Sequence, residues 1–172
     1  MKSKLFDLLN KIEDILGVPR PNVVVLNYRG VPLNTFVDQI NYIEEIGYKF
    51  ITASDVALYV RGEKKINEPS VCLTFDNKYQ ISEFAKSFLA SRNIPSTVFC
   101  LAHTTVNLPD NWELGCHTKT HQELDKRLVH YKKEIIQAKA ILESVNGVEV
   151  KVFSYPNGKY DKYALKNVQK AG

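Results

Sequence analysis

An α/β fold built around a parallel sheet is what this sequence predicts, and three observations carry the expectation. Val23-Val24-Val25-Leu26, Val71-Cys72-Leu73-Thr74-Phe75 and Thr97-Val98-Phe99-Cys100-Leu101 are short, continuously apolar runs rich in β-branched residues, the pattern of strands buried on both faces. Amphipathic segments of helical spacing alternate with them. Polar clusters stand directly after strands: Asp76-Asn77, His117 with His121, and Tyr155-Pro156-Asn157-Gly158. In helix-flanked parallel sheets ligands sit at the carboxyl ends of the strands, so these three clusters converge on one rim.

Taken in order, Leu5, Leu8, Leu9, Ile12 and Leu16 form one stripe of an amphipathic helix over residues 1–20. Pro19-Arg20-Pro21-Asn22 breaks it ahead of the first strand. Asn34 is placed to cap a helix through Ile46, with Phe36, Ile40 and Ile43 inward and Gly47 stopping it. A short strand from Tyr48 to Ile51 follows, then a brief helix capped by Ser54 and ending near Gly62. After the 71–75 strand, Ser82 caps a helix to about Arg92. The 97–101 strand leads through a loop rich in Thr, Asn, Pro and Asp to a strand at 113–116. Leu128, Tyr131, Ile135, Ala138, Leu142 and Val145 then recur at steps of three and four, predicting one long helix closed by Asn146-Gly147. Val148, Val150 and Val152 begin a strand that runs into Phe153, and a last helix starts near Asp161.

The 172 residues suit one domain with a substantial core. Hydrophobic content of 44% and charged content of 24% are those of an ordinary globular protein. A net charge of +4 is spread thinly: Lys64-Lys65 and Lys132-Lys133 are only pairs, which excludes a nucleic-acid patch. Cys72, Cys100 and Cys116 contain no CxxC pair and fall in apolar runs, so they read as core residues. No run approaches the roughly 20 apolar residues of a membrane span. The basic amino terminus is followed by Asp7, Lys11, Glu13 and Asp14 rather than an apolar signal segment, which implies a cytoplasmic location.

The stretch Gly115-Cys116-His117-Thr118-Lys119-Thr120-His121 carries the sharpest chemical signal. If it turns helical at Thr118, the histidines lie one turn apart on one face, where two imidazoles can share a cation such as Zn²⁺. The alternative is two surface histidines at an ordinary helix start.

Thr74-Phe75-Asp76-Asn77, Pro95-Ser96-Thr97-Val98-Phe99, His117-Thr118-Lys119-Thr120-His121 and Phe153-Ser154-Tyr155-Pro156-Asn157-Gly158 stand in the order and spacing of the first motifs of a known family. The sequence resembles the polysaccharide deacetylases, carbohydrate esterase family four, with their chitooligosaccharide-deacetylase or NodB-like homology domain. The likeness covers roughly residues 23–172. It implies a distorted, incomplete (β/α) barrel and a metal-dependent hydrolase that removes N-acetyl, or O-acetyl, groups from an oligo- or polysaccharide. It assigns Asp76 as general base, Asn77, His117 and His121 as metal ligands, and Tyr155, Pro156, Asn157 and Gly158 as substrate groove. Zn²⁺ is the metal implied, with Co²⁺ or Ni²⁺ as alternatives. Trp112, Tyr155 and Tyr160 are candidates for stacking on sugar rings, with routine packing near loops as the alternative.

The sequence departs from the family pattern at Asn77, where most members carry Asp, at Lys78, where Gly is usual, and at Arg29, where a His often follows Tyr28. The family's third-motif Arg is missing. The resemblance places the later motifs, with the Leu-x-His general acid, beyond Gly172, so the chain reads as C-terminally truncated, with a partner subunit as one way to complete the barrel. His103 and His130 are poor substitutes for that acid. A catalytically degenerate paralogue that binds sugar or metal without turnover is the alternative function.

Overall fold

The computed structural model describes residues 22–77, 81–126 and 128–172. The expected helix over 1–20 and the residue Lys78 lie outside them. The described chain contains β1 (Val23–Tyr28), α1 (Leu33–Glu45), β2 (Lys49–Ile51), α2 (Ala53–Val60), β3 (Ser70–Asp76), α3 (Glu83–Ser91), β4 (Thr97–Cys100), β5 (Glu113–Cys116), a π-helical segment (Lys132–Gln137) running into α4 (Ala138–Asn146), a 3₁₀ turn (Pro156–Gly158) and α5 (Lys162–Ala171).

All strand pairs are parallel, and β3, buried along its whole length, is the centre of the sheet. One edge of β3 pairs with β1 from Ser70 to Phe75. The other edge is shared: β2 takes Ser70 to Cys72, and β4 takes Thr74 to Asp76. β5 extends the sheet beyond β4, and Phe153 adds a single parallel rung to Cys116. The incomplete, helix-flanked parallel sheet is therefore as the sequence implies. The core lies between its face and the inward stripes of the helices, Phe36, Ile40 and Ile43 of α1, Ala85 and Leu89 of α3, and Ala138 and Leu142 of α4. The three cysteines are free and buried, as expected of small core residues.

Several local expectations change. α1 begins at Leu33 behind Pro32, whose side chain makes no cap bond, so Asn34 is inside the helix and caps nothing. Thr52, not Ser54, caps α2, because Thr52 and Asp55 form a reciprocal capping box. Ser54 is thereby freed to bond the Glu113 carboxylate through both its N–H and its hydroxyl. The predicted long helix does not reach back to Leu128, which is 89% exposed with φ +81°. The expected strand from Val148 reduces to one rung, in which Cys116 N–H donates to Val152 O and Ser154 N–H donates to Cys116 O, each at 2.9 Å. β1 is an edge strand with Val25 53% exposed, so it is not buried on both faces.

Gly115 shows how tightly β5 lies under the site. A Cβ there would run into Cδ1 of Phe99 and stand 2.6 Å from its Cε1. Gly115→Ala is expected to destabilise the fold by about 1–3 kcal/mol, the usual cost of overpacking. Urea unfolding reads this directly, and an unchanged midpoint would mean that Phe99 swings away freely.

Candidate functional site

Alternation along two neighbouring strands builds the site. Val25, Asn27 and Arg29 on one side, and Cys72, Thr74 and Asp76 on the other, point every second residue into a cavity of about 710 Å³. Ser154, Tyr155, Asn157 and Gly158 close its far wall. Asp76 ends β3 with only 5% exposure. Its Oδ2 accepts from Nη2 of Arg29 at 2.7 Å and from Nε at 3.3 Å, while Ser154 Oγ lies 3.4 Å from Oδ1. The Arg29 side chain is 46% exposed, so water screens this ion pair from one side. The pair explains how a carboxylate can stay buried at a strand end: its charge has a fixed cation beside it.

The histidine turn is not helical, which corrects the i, i+4 expectation. His117 continues straight from β5, its N–H bonded to Cys100 O at 2.8 Å. Thr118 then takes φ +72° and His121 φ +64°, so the segment between the histidines is irregular and not helical. The rings still meet, centroid to centroid at 4.9 Å and 68° between planes. Thr118 is fully buried, and its Oγ1 accepts from His121 N–H at 2.9 Å. A β-branched residue at positive φ is a strained arrangement that survives only where its surroundings hold it.

His117 is prepared for one kind of partner. Its Nδ1 lies 2.9 Å from Ser154 O; a carbonyl only accepts, so Nδ1 carries the proton. Burial pushes the imidazole below its ordinary 6.5, against the opposite pull of the Asp76 carboxylate, which leaves the ring neutral at pH 7. The lone pair then resides on Nε2, which is buried without a hydrogen-bond partner. An orphaned buried acceptor costs about 1–3 kcal/mol, and ligation by a cation removes that cost. The residues present fit a divalent metal at this point. Among the described residues no group of three His, Cys, Asp or Glu side chains is placed to hold a metal ion. The residue after Asp76 is an amide, Asn77, and the Asp76 carboxylate itself is engaged by Arg29. Asn77 leaves β3 with φ +64° and anchors its N–H to Phe99 O at 2.6 Å.

The 155–158 wall is an aromatic and turn structure. Tyr155 stacks on Tyr160 at 4.5 Å and meets Phe153 edge-on at 5.2 Å. Pro156 is buried, and Asn157, at φ +54°, donates from Nδ2 to Glu123 Oε1 at 2.9 Å. Trp112 is corrected outright. It precedes β5 at the opposite end of the strands, lies parallel to Phe75 at 6.0 Å, and donates Nε1–H to Ile94 O at 3.1 Å. With 8% exposure it is a core residue, unable to stack on a sugar at the rim. His103 and His130 are exposed.

Two contributors escaped the sequence reading. Arg29 shares the every-second-residue pattern of Val25 and Asn27, but nothing local shows that it faces Asp76, 47 residues away. Glu134 sits four residues before Ala138, on the same buried stripe, and a search for apolar residues passes over it. Its carboxylate holds the histidine turn, accepting from Lys119 N–H, Thr120 N–H and Thr120 Oγ1–H.

An incomplete parallel α/β barrel with a buried aspartate, an arginine and a histidine pair at its carboxyl rim defines a narrow class of proteins. The sequence profile of the polysaccharide deacetylase family matches residues 63–172. The chain belongs to the polysaccharide deacetylase family. It is 24% identical over 156 residues to YxkH of Bacillus subtilis (strain 168), whose name places it among the polysaccharide deacetylases; the match takes in 83% of this chain and 56% of YxkH. The chain thus spans little more than half the length of that relative. IcaB from Ammonifex degensii has the same fold at a TM-score of 0.73 and 20% identity, over 87% of this chain and 80% of that one. The Streptococcus pyogenes deacetylase PplD, solved in complex with acetate, superposes at 0.71 with 18% identity, over 87% and 79% of the two chains. No described helix is long and apolar enough to cross a membrane.

Proposed function

We propose that this chain carries the catalytic rim of a metal-dependent deacetylase acting on an N-acetylated, or O-acetylated, oligo- or polysaccharide. The single observation that supports it is the setting of His117, with Nδ1 locked to Ser154 O and a buried Nε2 without a hydrogen-bond partner beside His121. His117, His121 and Asn77 would hold the cation, Zn²⁺ first and Co²⁺ or Ni²⁺ as alternatives. A cation bound there supplies Lewis acidity toward the acetyl carbonyl and makes water acidic enough to ionise near neutral pH.

The chain's own residues do the rest. Asp76 accepts the proton of the attacking water through Oδ1, because Oδ2 is committed to Arg29. Arg29 and Ser154 hold that carboxylate in one orientation, so no reorganisation is needed as the proton moves. The 155–158 wall, with Tyr155 and Tyr160 stacked, offers an apolar face to a sugar ring. The family membership supports carbohydrate as substrate class.

Incubating the protein with N-acetylglucosamine oligomers should release acetate when Zn²⁺ or Co²⁺ is supplied, and a chelator should abolish the release. A second reading rests on Asn77: a neutral amide is a weaker ligand than carboxylate, which suits a paralogue that binds sugar or metal without turnover. Metal and glycan binding with no acetate formed would favour that reading over the first.

A further inference from the structure

We propose that Glu134 is the positioning residue of the histidine pair: its buried carboxylate holds the strained 118–121 turn in the one shape that brings the His121 ring against His117. The inference rests on the metal-site reading above. Thr118 and His121 are both at positive φ, and Thr118 is β-branched, so the turn does not keep this shape by intrinsic preference. Something must over-determine it. Thr118 O accepts from Ala102 N–H at 3.2 Å, and Thr118 Oγ1 spans to His121 N–H. Between those anchors stand Lys119 and Thr120, and both are fixed by Glu134 alone among the described side chains: Oε2 accepts from their N–H groups at 3.1 and 2.9 Å, and Oε1 accepts from Thr120 Oγ1–H at 2.9 Å.

The presentation of Glu134 supports a functional rather than a packing role. A carboxylate with 5% exposure is costly to desolvate, and an apolar residue would fill the same helix face without that cost. It stands in a π-helical segment, Lys132–Gln137, a winding that is rare and recurs at functional sites. Its neighbour Ile135 is buried in the small cluster with Leu124 and Ala164, which fixes the segment in place. The helix thus delivers one rigid acceptor pair to a loop that cannot hold itself.

The test is metal binding, read by chelator competition with Zn²⁺ and by the visible spectrum of the Co²⁺ form. Glu134→Ala is expected to weaken affinity by about 10–100-fold, the range seen when a supporting partner of a ligand is lost, and to alter the Co²⁺ spectrum. Glu134→Gln should stay within about threefold of wild type. Its carbonyl oxygen can take both N–H groups, and its amide can donate to the Thr120 hydroxyl. Leu89→Ala, a core truncation on α3, controls for lost stability and should leave affinity unchanged. If Glu134→Ala does not fold, Thr120→Val removes one of the three bonds and should still weaken binding several-fold. Wild-type affinity in a folded Glu134→Ala, or in Thr120→Val, overturns the proposal, as does a Glu134→Gln variant as weak as Glu134→Ala, which would point to charge instead of position. A wild-type protein that binds neither metal defeats the metal-site reading itself, a separate result.

Discussion

His117→Ala is expected to abolish specific binding of Zn²⁺ and Co²⁺. The loss should exceed the roughly 10–100-fold that follows removal of a supporting hydrogen bond, because a ligand itself is gone. The reason is the tautomer. Ser154 O takes the Nδ1 proton, so Nε2 is the only lone pair the ring can present, and it is buried with no other use. Thermal unfolding provides the readout. Metal at 100 times its Kd should stabilise wild type by about 2.7 kcal/mol, whereas His117→Ala should show no shift at the same concentration. If the variant keeps the metal-induced shift, the cation is held elsewhere and the rim is not a metal site.

Asp76→Asn should separate chemistry from metal binding. The amide keeps the shape of the carboxylate and loses its basicity, so acetate release should fall by about 10²–10⁴-fold, the worth of a well-placed general base, while metal affinity stays within a few-fold. In barrier terms each tenfold loss corresponds to about 1.4 kcal/mol. Folding should change little, because the Arg29 guanidinium left behind is 46% exposed and remains hydrated. Simultaneous loss of metal would make Asp76 a ligand and not the base. Undiminished acetate release would remove Asp76 from the reaction altogether.

The two substitutions probe groups that reach the rim by different routes. Asp76 is at the end of the most deeply buried strand, a position legible from an apolar run followed by a carboxylate. His117 likewise follows an apolar run, β5. The conformation around it was not legible: the four-residue spacing suggests a helix, and the chain instead takes positive φ at Thr118 and His121. Helical spacing brings side chains together only if the backbone is helical, and here Glu134, 14 and 15 residues downstream of the groups it holds, determines that it is not. Trp112 failed for a related reason. Being near a loop in sequence says nothing about which end of the strands the residue occupies, and β5 begins directly after it.

By itself the sequence determined what local chemistry determines. The apolar runs at 71–75 and 97–101 became buried strands, Ser82 and Asp161 cap their helices through their own side chains, and the ordered motifs identified the family. Only the tertiary structure decided which side chains face one another across the sheet: Arg29 against Asp76, Ser154 joining that carboxylate to His117, Glu134 bracing the turn. Those contacts join groups separated by 14 to 78 residues, and they depend on strand register and helix placement, which no short stretch of sequence encodes.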